Sequence, residues 1–167
     1  MIANANSGLD FHLGESADLL RDTVRRFADD HIAPRAAEID QTNEFPADLW
    51  PELGALGLHG VTVAEEFGGA GLDVMTRTLL AMEMSQHRAG LYTPCYGTFG
   101  SMGLAQLYDA NDDQKERYLY PTLRGEKRGF FGLTEPSGGS DPARAIQTRA
   151  VQDGDDWVIN GQKIFIS

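Results

Sequence analysis

The feature that most constrains this chain is a change of period near residue 129. From about Ser16 to Arg128, apolar residues recur at three- and four-residue steps, the repeat of helices that each bury one face. Beyond Phe130 the pattern becomes short β runs broken by Gly, Pro and Asp. A segment patterned for one period does not settle into the other, so helices and strands are expected in separate parts of an α+β chain. The expected division is an arm over residues 1–15, a helical part over 16–128 and a β part over 129–167.

In the helical part, a first helix is expected to open at Ser16, whose hydroxyl suits a cap on the first turn. Leu20, Val24, Phe27 and His31 then share a face, and Pro34, with no N–H to give, is expected to kink or interrupt the helix. A second helix is expected from Pro46, burying Leu49, Leu53 and Leu56 and ending at Gly57 or Gly60, with Pro51 awkwardly early inside it. The run EEFGGAG over residues 65–71 is too rich in glycine for helix or strand and reads as a loop. Its acids Glu65 and Glu66 read as solvated or capping side chains, as do His87 and Arg88 at a helix end. Asp73 reads as the cap of a third helix with Met75, Leu79 and Met82 on one side, the methionines serving as core filler. A fourth helical stretch is expected from about Pro94 to Tyr108, carrying Gly97, Gly100 and Gly103. Asn111 then caps a short fifth helix, which Pro121 is expected to end.

In the β part, residues 130–133, 145–151 and 156–159 read as strands, and 163–167 as the start of another. Asp153-Gly154-Asp155 reads as a turn and Asn160-Gly161 as a two-residue hairpin loop.

Composition narrows the function. Fourteen basic against 25 acidic residues leave a net charge of −11, with no basic stripe, so nucleic acid is not an expected partner. No stretch approaches the ~18 consecutive apolar residues of a membrane helix, and residues 1–8 lack the pattern of a secretory signal. The single cysteine, Cys95, excludes an internal disulfide and a Cys-based zinc site and reads as a small buried residue. His12, His31, His59 and His87 have no ligand spacing, so no metal site is expected, and a reducing cytoplasm fits best. Nucleophile-elbow, zinc-helix, P-loop and Rossmann signatures are all missing.

What stands out is FFGLTEPSGGSDP, residues 130–142. A strand is expected to run into a loop with adjacent glycines, hydroxyls at Thr134, Ser137 and Ser140, and acids at Glu135 and Asp141. Composition alone allows a surface turn. It also allows a cradle in which backbone N–H groups and hydroxyls hold an anion or a polar heterocycle without basic side chains.

Three segments in order, LGALGLHGVTVAEEFGGAGLD (53–73), DQKERYLYPTLRGEKRGFFGLTEPSGGSD (113–141) and NGQKIFIS (160–167), resemble the acyl-CoA dehydrogenase family of flavoproteins. The resemblance implies a helical N-terminal domain followed by the start of an antiparallel, barrel-like β domain, with the chain stopping before a C-terminal four-helix bundle. It implies FAD as cofactor, with Phe131, Gly132, Leu133 and Thr134 around the flavin and Gly139 and Ser140 along its pyrophosphate. Ser140 is also expected along the CoA arm of the substrate. Phe165, Ile166 and Ser167 are expected at the ring, Phe165 as its aromatic contact where many relatives carry tryptophan, and Ser167 as a hydroxyl where threonine is common. As a strand aromatic, Phe165 also suits a core position.

The implied reaction introduces an α,β double bond into an acyl-CoA thioester, with electron-transfer flavoprotein as acceptor. The resemblance places the proton-accepting glutamate in the C-terminal region, so no catalytic residue is expected here and stand-alone activity is not. It also implies a homo-oligomer when complete. A non-catalytic assembly half that pairs with a complementary C-terminal chain is the alternative. A related acyl-CoA oxidase, or a nitroalkane- or amine-oxidising flavoprotein, is another.

Overall fold

A computed structural model of the chain describes residues 14–86, 107–129 and 132–166. It divides into two compact units, Met1–Arg128 and Gly129–Ser167.

The first unit is built on helices. α1 (Glu15–Phe27) opens from Gly14, whose φ of 90° turns the chain into the helix and whose carbonyl accepts from Ala17 and Asp18. Ser16 therefore lies inside the first turn and makes no cap, contrary to expectation. Pro34 interrupts the helix as expected, but by a graded route. α1 widens into a π-helical turn (Ala28–Ile32), tightens into a 3-10 turn (Ala33–Arg35) and resumes as α2 (Ala36–Thr42). The wide turn moves the preceding carbonyls off the proline ring, which an unbroken α-helix cannot do.

α3 (Leu49–Ala55) starts three residues later than expected, because the Pro46 carbonyl closes a turn onto the Leu49 N–H. Pro51 then falls in the first turn, where its missing N–H has no ladder bond to lose. Leu49 and Leu53 are buried, Leu56 stays at the surface, and Gly57 ends the helix at a φ of 73°. The EEFGGAG loop contains a single 3-10 turn, Glu65–Phe67, and both its acids are exposed.

α4 (Val74–Met84) is capped as expected, with the Thr76 N–H donating to Asp73 Oδ1 at 2.6 Å. Its buried side carries Thr76, Leu79, Leu80, Glu83 and Met84, so Met75 and Met82 are surface residues rather than core filler. At about 100° per residue, the stripe through 76, 80 and 83 leaves 75 and 82 on the solvent edge. The main core gathers Val24, Phe27, Ile32, Leu49, Leu53 and Leu80 with their neighbours.

Asn111 makes a reciprocal capping box with Gln114 at the start of α5 (Asp112–Gln114). The helix then passes through a π-helical turn (Lys115–Leu119) into α6 (Tyr120–Leu123), so Pro121 does not end it. The carbonyl four residues before that proline, Arg117, accepts the Lys127 ammonium at 2.6 Å. Of the expected fourth helical stretch, residues 94–106 lie outside the described residues, as do His87, Arg88 and Cys95.

A buried charge joins α1 to α4. Glu83, 3% exposed, accepts from Arg21 at 2.9 Å and from Arg25 at 2.8 Å through Oε1, and from Gln86 at 2.6 Å through Oε2. Burial alone would raise its pKa, but the two guanidinium groups outweigh it and hold the carboxyl below its ordinary value.

The second unit holds one antiparallel hairpin among its described residues, β1 (Arg149–Asp153) and β2 (Asp156–Asn160). Its register runs from Arg149↔Asn160 to Asp153↔Asp156, around a turn with Gly154 at a φ of 63°. β1 starts four residues later than expected because Pro142–Ala145 forms a short helix, α7. The Asn160-Gly161 hairpin loop does not form. Such a turn needs a positive φ at both residues, and neither has one. Gly161 instead lies flat against Thr148, where any Cβ would collide with that side chain. The expected strand at 163–167 is also absent over its described residues, since Phe165 takes a left-handed φ of 55° that breaks the extended run.

Removing the charge that ties α1 to α4 should be costly, because two partly exposed guanidinium groups would lose the buried carboxylate they share. Glu83→Ala is expected to lower unfolding free energy by about 3 kcal/mol, read from urea denaturation followed by far-UV circular dichroism.

Candidate functional site

The loop after residue 132 is shaped by one carboxylate. Glu135 is 3% exposed although it sits in a glycine- and serine-rich turn. Its Oε1 accepts from the Lys163 ammonium at 2.8 Å and the Thr148 N–H at 3.1 Å, and its Oε2 from the Gln147 N–H at 2.6 Å. Its own backbone pairs with Gly138 in both directions, at 3.0 and 2.9 Å, which closes the turn. Ser137 Oγ donates to the Ala145 carbonyl at 3.0 Å and secures the far side.

These bonds fix the residues expected around a cofactor. Lys163 also donates to the Leu133 carbonyl at 3.1 Å, and the Ile164 N–H donates to the Thr134 carbonyl at 3.0 Å. The segment 133–135 is therefore held alongside 163–164. Gly139 backs onto Thr134, where a Cβ would come within 3.0 Å of its Cγ2. Gly132 and Ser140 are exposed, and Leu133, Thr134 and Gly139 are half-buried. Phe165 is 88% exposed and Ile166 40% exposed. Phe131 and Ser167 lie outside the described residues.

Two features suit a planar heterocycle with hydrogen-bonding edges. The backbone N–H groups of Leu133 and Thr134 and the hydroxyls of Thr134 and Ser140 find no acceptor among the described residues. An aromatic residue in the left-handed region costs about 1–2 kcal/mol, and at Phe165 that conformation accompanies an almost fully exposed ring rather than a core position.

Residues 14–126 match the acyl-CoA dehydrogenase N-terminal domain, and residues 130–167 match the acyl-CoA dehydrogenase middle domain. The chain belongs to the acyl-CoA dehydrogenase family. Over 160 residues it is 39% identical to the short-chain specific acyl-CoA dehydrogenase of Clostridium acetobutylicum, a match covering 95% of this chain and 42% of that protein. Among solved structures, glutaryl-CoA dehydrogenase from Mycobacterium smegmatis in complex with FADH2 superposes with a TM-score of 0.82 at 32% identity, over 92% of this chain and 39% of that one. A chain solved in work on the electron transferring flavoprotein of Acidaminococcus fermentans gives a TM-score of 0.83 at 36% identity, over 95% of this chain and 41% of that one. The chain thus spans about two fifths of the length of the relatives it matches.

The acyl-CoA dehydrogenases are flavin-dependent, and the donor set around 133–140 fits that group: neutral N–H and O–H donors with an exposed aromatic face. The sequence pattern by itself gives Glu135 and Lys163 no role, since Glu135 is one of several acids in its loop. The available signal was a lone Glu and a lone Lys flanked by apolar and turn residues at two ends of one small unit.

The Lys163 ammonium, with further hydrogen bonds from Thr148 and Gln147, lowers the Glu135 pKa from 4.5 to about 2. The folded carboxyl thus releases its proton more readily than the unfolded one. Its stabilisation is complete above about pH 4.5 and is lost as the pH falls towards 2. A ¹³C NMR titration of the side-chain carboxyl should therefore find the Glu135 midpoint near 2, well below the ordinary glutamate value of 4.5. Glu135→Gln should flatten the acid limb of the unit's stability over that range.

Proposed function

We propose that this chain supplies the flavin-contacting portion of an FAD-dependent acyl-CoA dehydrogenase that introduces an α,β double bond into an acyl-CoA thioester. The observation carrying this reading is the clamp that holds segment 133–135 beside 163–164 and leaves the N–H groups of 133 and 134 and the hydroxyls of 134 and 140 without acceptors among the described residues. In this reading Leu133 and Thr134 offer hydrogen bonds to the pyrimidine edge of the flavin, with Gly132 and Phe131 beside them. Gly139 and Ser140 lie along the pyrophosphate, and Ser140 also lies along the CoA arm. Phe165 covers the ring, with Ile166 and the Ser167 hydroxyl next to it.

FAD, when bound, supplies the hydride acceptor. The work left to this chain's residues is orientation: fixed donors at the ring edge need no reorganisation as charge builds during reaction. The base that takes the α proton is assigned to the C-terminal region of the complete enzyme. Electron-transfer flavoprotein is the proposed acceptor, a homo-oligomer the proposed assembly and the cytoplasm the proposed location.

The reading is tested by loading the full chain with FAD. Yellow colour retained through gel filtration supports it, and colourless protein overturns it. Dye reduction by an acyl-CoA with this polypeptide alone would overturn the assignment of the base elsewhere. Phe165→Gly gives a sharper probe, since glycine accepts a left-handed φ freely and the variant should fold at least as well. Its expected effect is an FAD Kd raised about threefold to tenfold through loss of the ring contact, measured by flavin fluorescence.

A further inference from the structure

Lys163 lies 28 residues beyond Glu135, on the far side of the hairpin, yet its ammonium reaches back to that carboxylate. An exposed ion pair contributes little. This ammonium does more than pair, because it also donates to the Leu133 main-chain carbonyl at 3.1 Å. One residue on, the Ile164 N–H holds the Thr134 carbonyl at 3.0 Å. Two consecutive residues thus hold two consecutive carbonyls.

In a planar trans peptide the carbonyl of one residue and the N–H of the next point in opposite directions. With the Leu133 carbonyl held by Lys163, the Thr134 N–H of the same peptide plane is directed away from Lys163, and among the described residues it meets no acceptor. Glu135 completes the device. Bound by Gln147 and Thr148 as well, it fixes where the ammonium sits, and its negative charge balances that ammonium. The pair therefore adds no net charge to the loop, and what it imposes is direction.

Resting on the flavin-binding reading above, we propose that Lys163 is a positioning residue. By holding the Leu133 carbonyl, it sets the plane of the Leu133–Thr134 peptide and so presents the Thr134 N–H as a ready donor to the flavin.

The test compares Lys163→Met, Lys163→Arg and the double variant E135Q/K163M with the unsubstituted full chain. Two quantities are read: amide hydrogen exchange at Thr134 and Ile164 without flavin, and FAD affinity with the shape of the bound-flavin absorption band. Lys163→Met is expected to speed Ile164 exchange at least about tenfold. It should also raise the FAD Kd about tenfold to a hundredfold, the cost of one charge-assisted hydrogen bond, and change the band. Lys163→Arg keeps a donor and should restore most of both. E135Q/K163M removes the charge that the single variant leaves unpaired. In that double variant no buried charge is left unpaired and the Leu133 carbonyl remains free, so its FAD Kd should stay raised. Unchanged exchange, affinity and band in a folded E135Q/K163M protein would overturn the positioning role alone. Failure of the unsubstituted chain to bind FAD would overturn the proposed function, and this inference with it.

Discussion

The second unit depends on one buried carboxylate. A 39-residue unit, Gly129–Ser167, with a single described hairpin has little apolar surface to bury, and every residue of β1 and β2 is exposed. Among the described residues, the bonds that order its loops are therefore polar. Glu135 does that work by gathering Lys163, Gln147 and Thr148 around two oxygens, in a site that excludes water. The partners come from two stretches of chain: Gln147 and Thr148 from the link between α7 and β1, and Lys163 from the segment beyond β2. A neutral residue of the same shape could not collect three donors at once, because only an ionised carboxylate accepts from all sides.

The two units handle buried charge in the same manner and for the same reason. Glu83 in the helical unit is as inaccessible as Glu135 and is likewise surrounded, by Arg21, Arg25 and Gln86. In each case a carboxylate links segments far apart in sequence, and removing a partner would leave an uncompensated charge. The helical unit could form without such a link, since Val24, Leu49, Leu53, Leu58 and Leu80 give it a core of its own. Among the described residues of the second unit there is no such cluster.

Much of the helical unit was legible in the sequence because its signals are local. Asp73 and Asn111 announce their caps by residue type and spacing, and both caps form. Gly57 marks a helix end for the same reason. What was not legible depends on neighbours. Pro121 reads as a stop, and it fails to be one because Lys127 folds back to serve the carbonyl that the proline would orphan. Asn160-Gly161 reads as a hairpin, and it fails because Thr148 occupies the space against which Gly161 must lie flat. The motif carrying the candidate site was visible as a string of turn residues with hydroxyls. That Glu135 is the buried centre of that string was not visible, since no periodicity distinguishes a loop acid that faces water from one that faces a lysine.

The electrostatics of Glu135 also bear on which group can move a proton. A general base works best when its pKa lies near the working pH, and a carboxylate held near 2 by a lysine and two backbone N–H groups is far too weak a base for a carbon acid. The features that make Glu135 effective as an anchor, burial and full hydrogen bonding, are those that disqualify it from catalysis. Glu65 and Glu66 lie in a different unit and are exposed. The acids of the described second unit thus divide cleanly. One is committed to holding the loop, and the others, Asp141, Asp153, Asp155 and Asp156, stand in water at turn or strand-end positions.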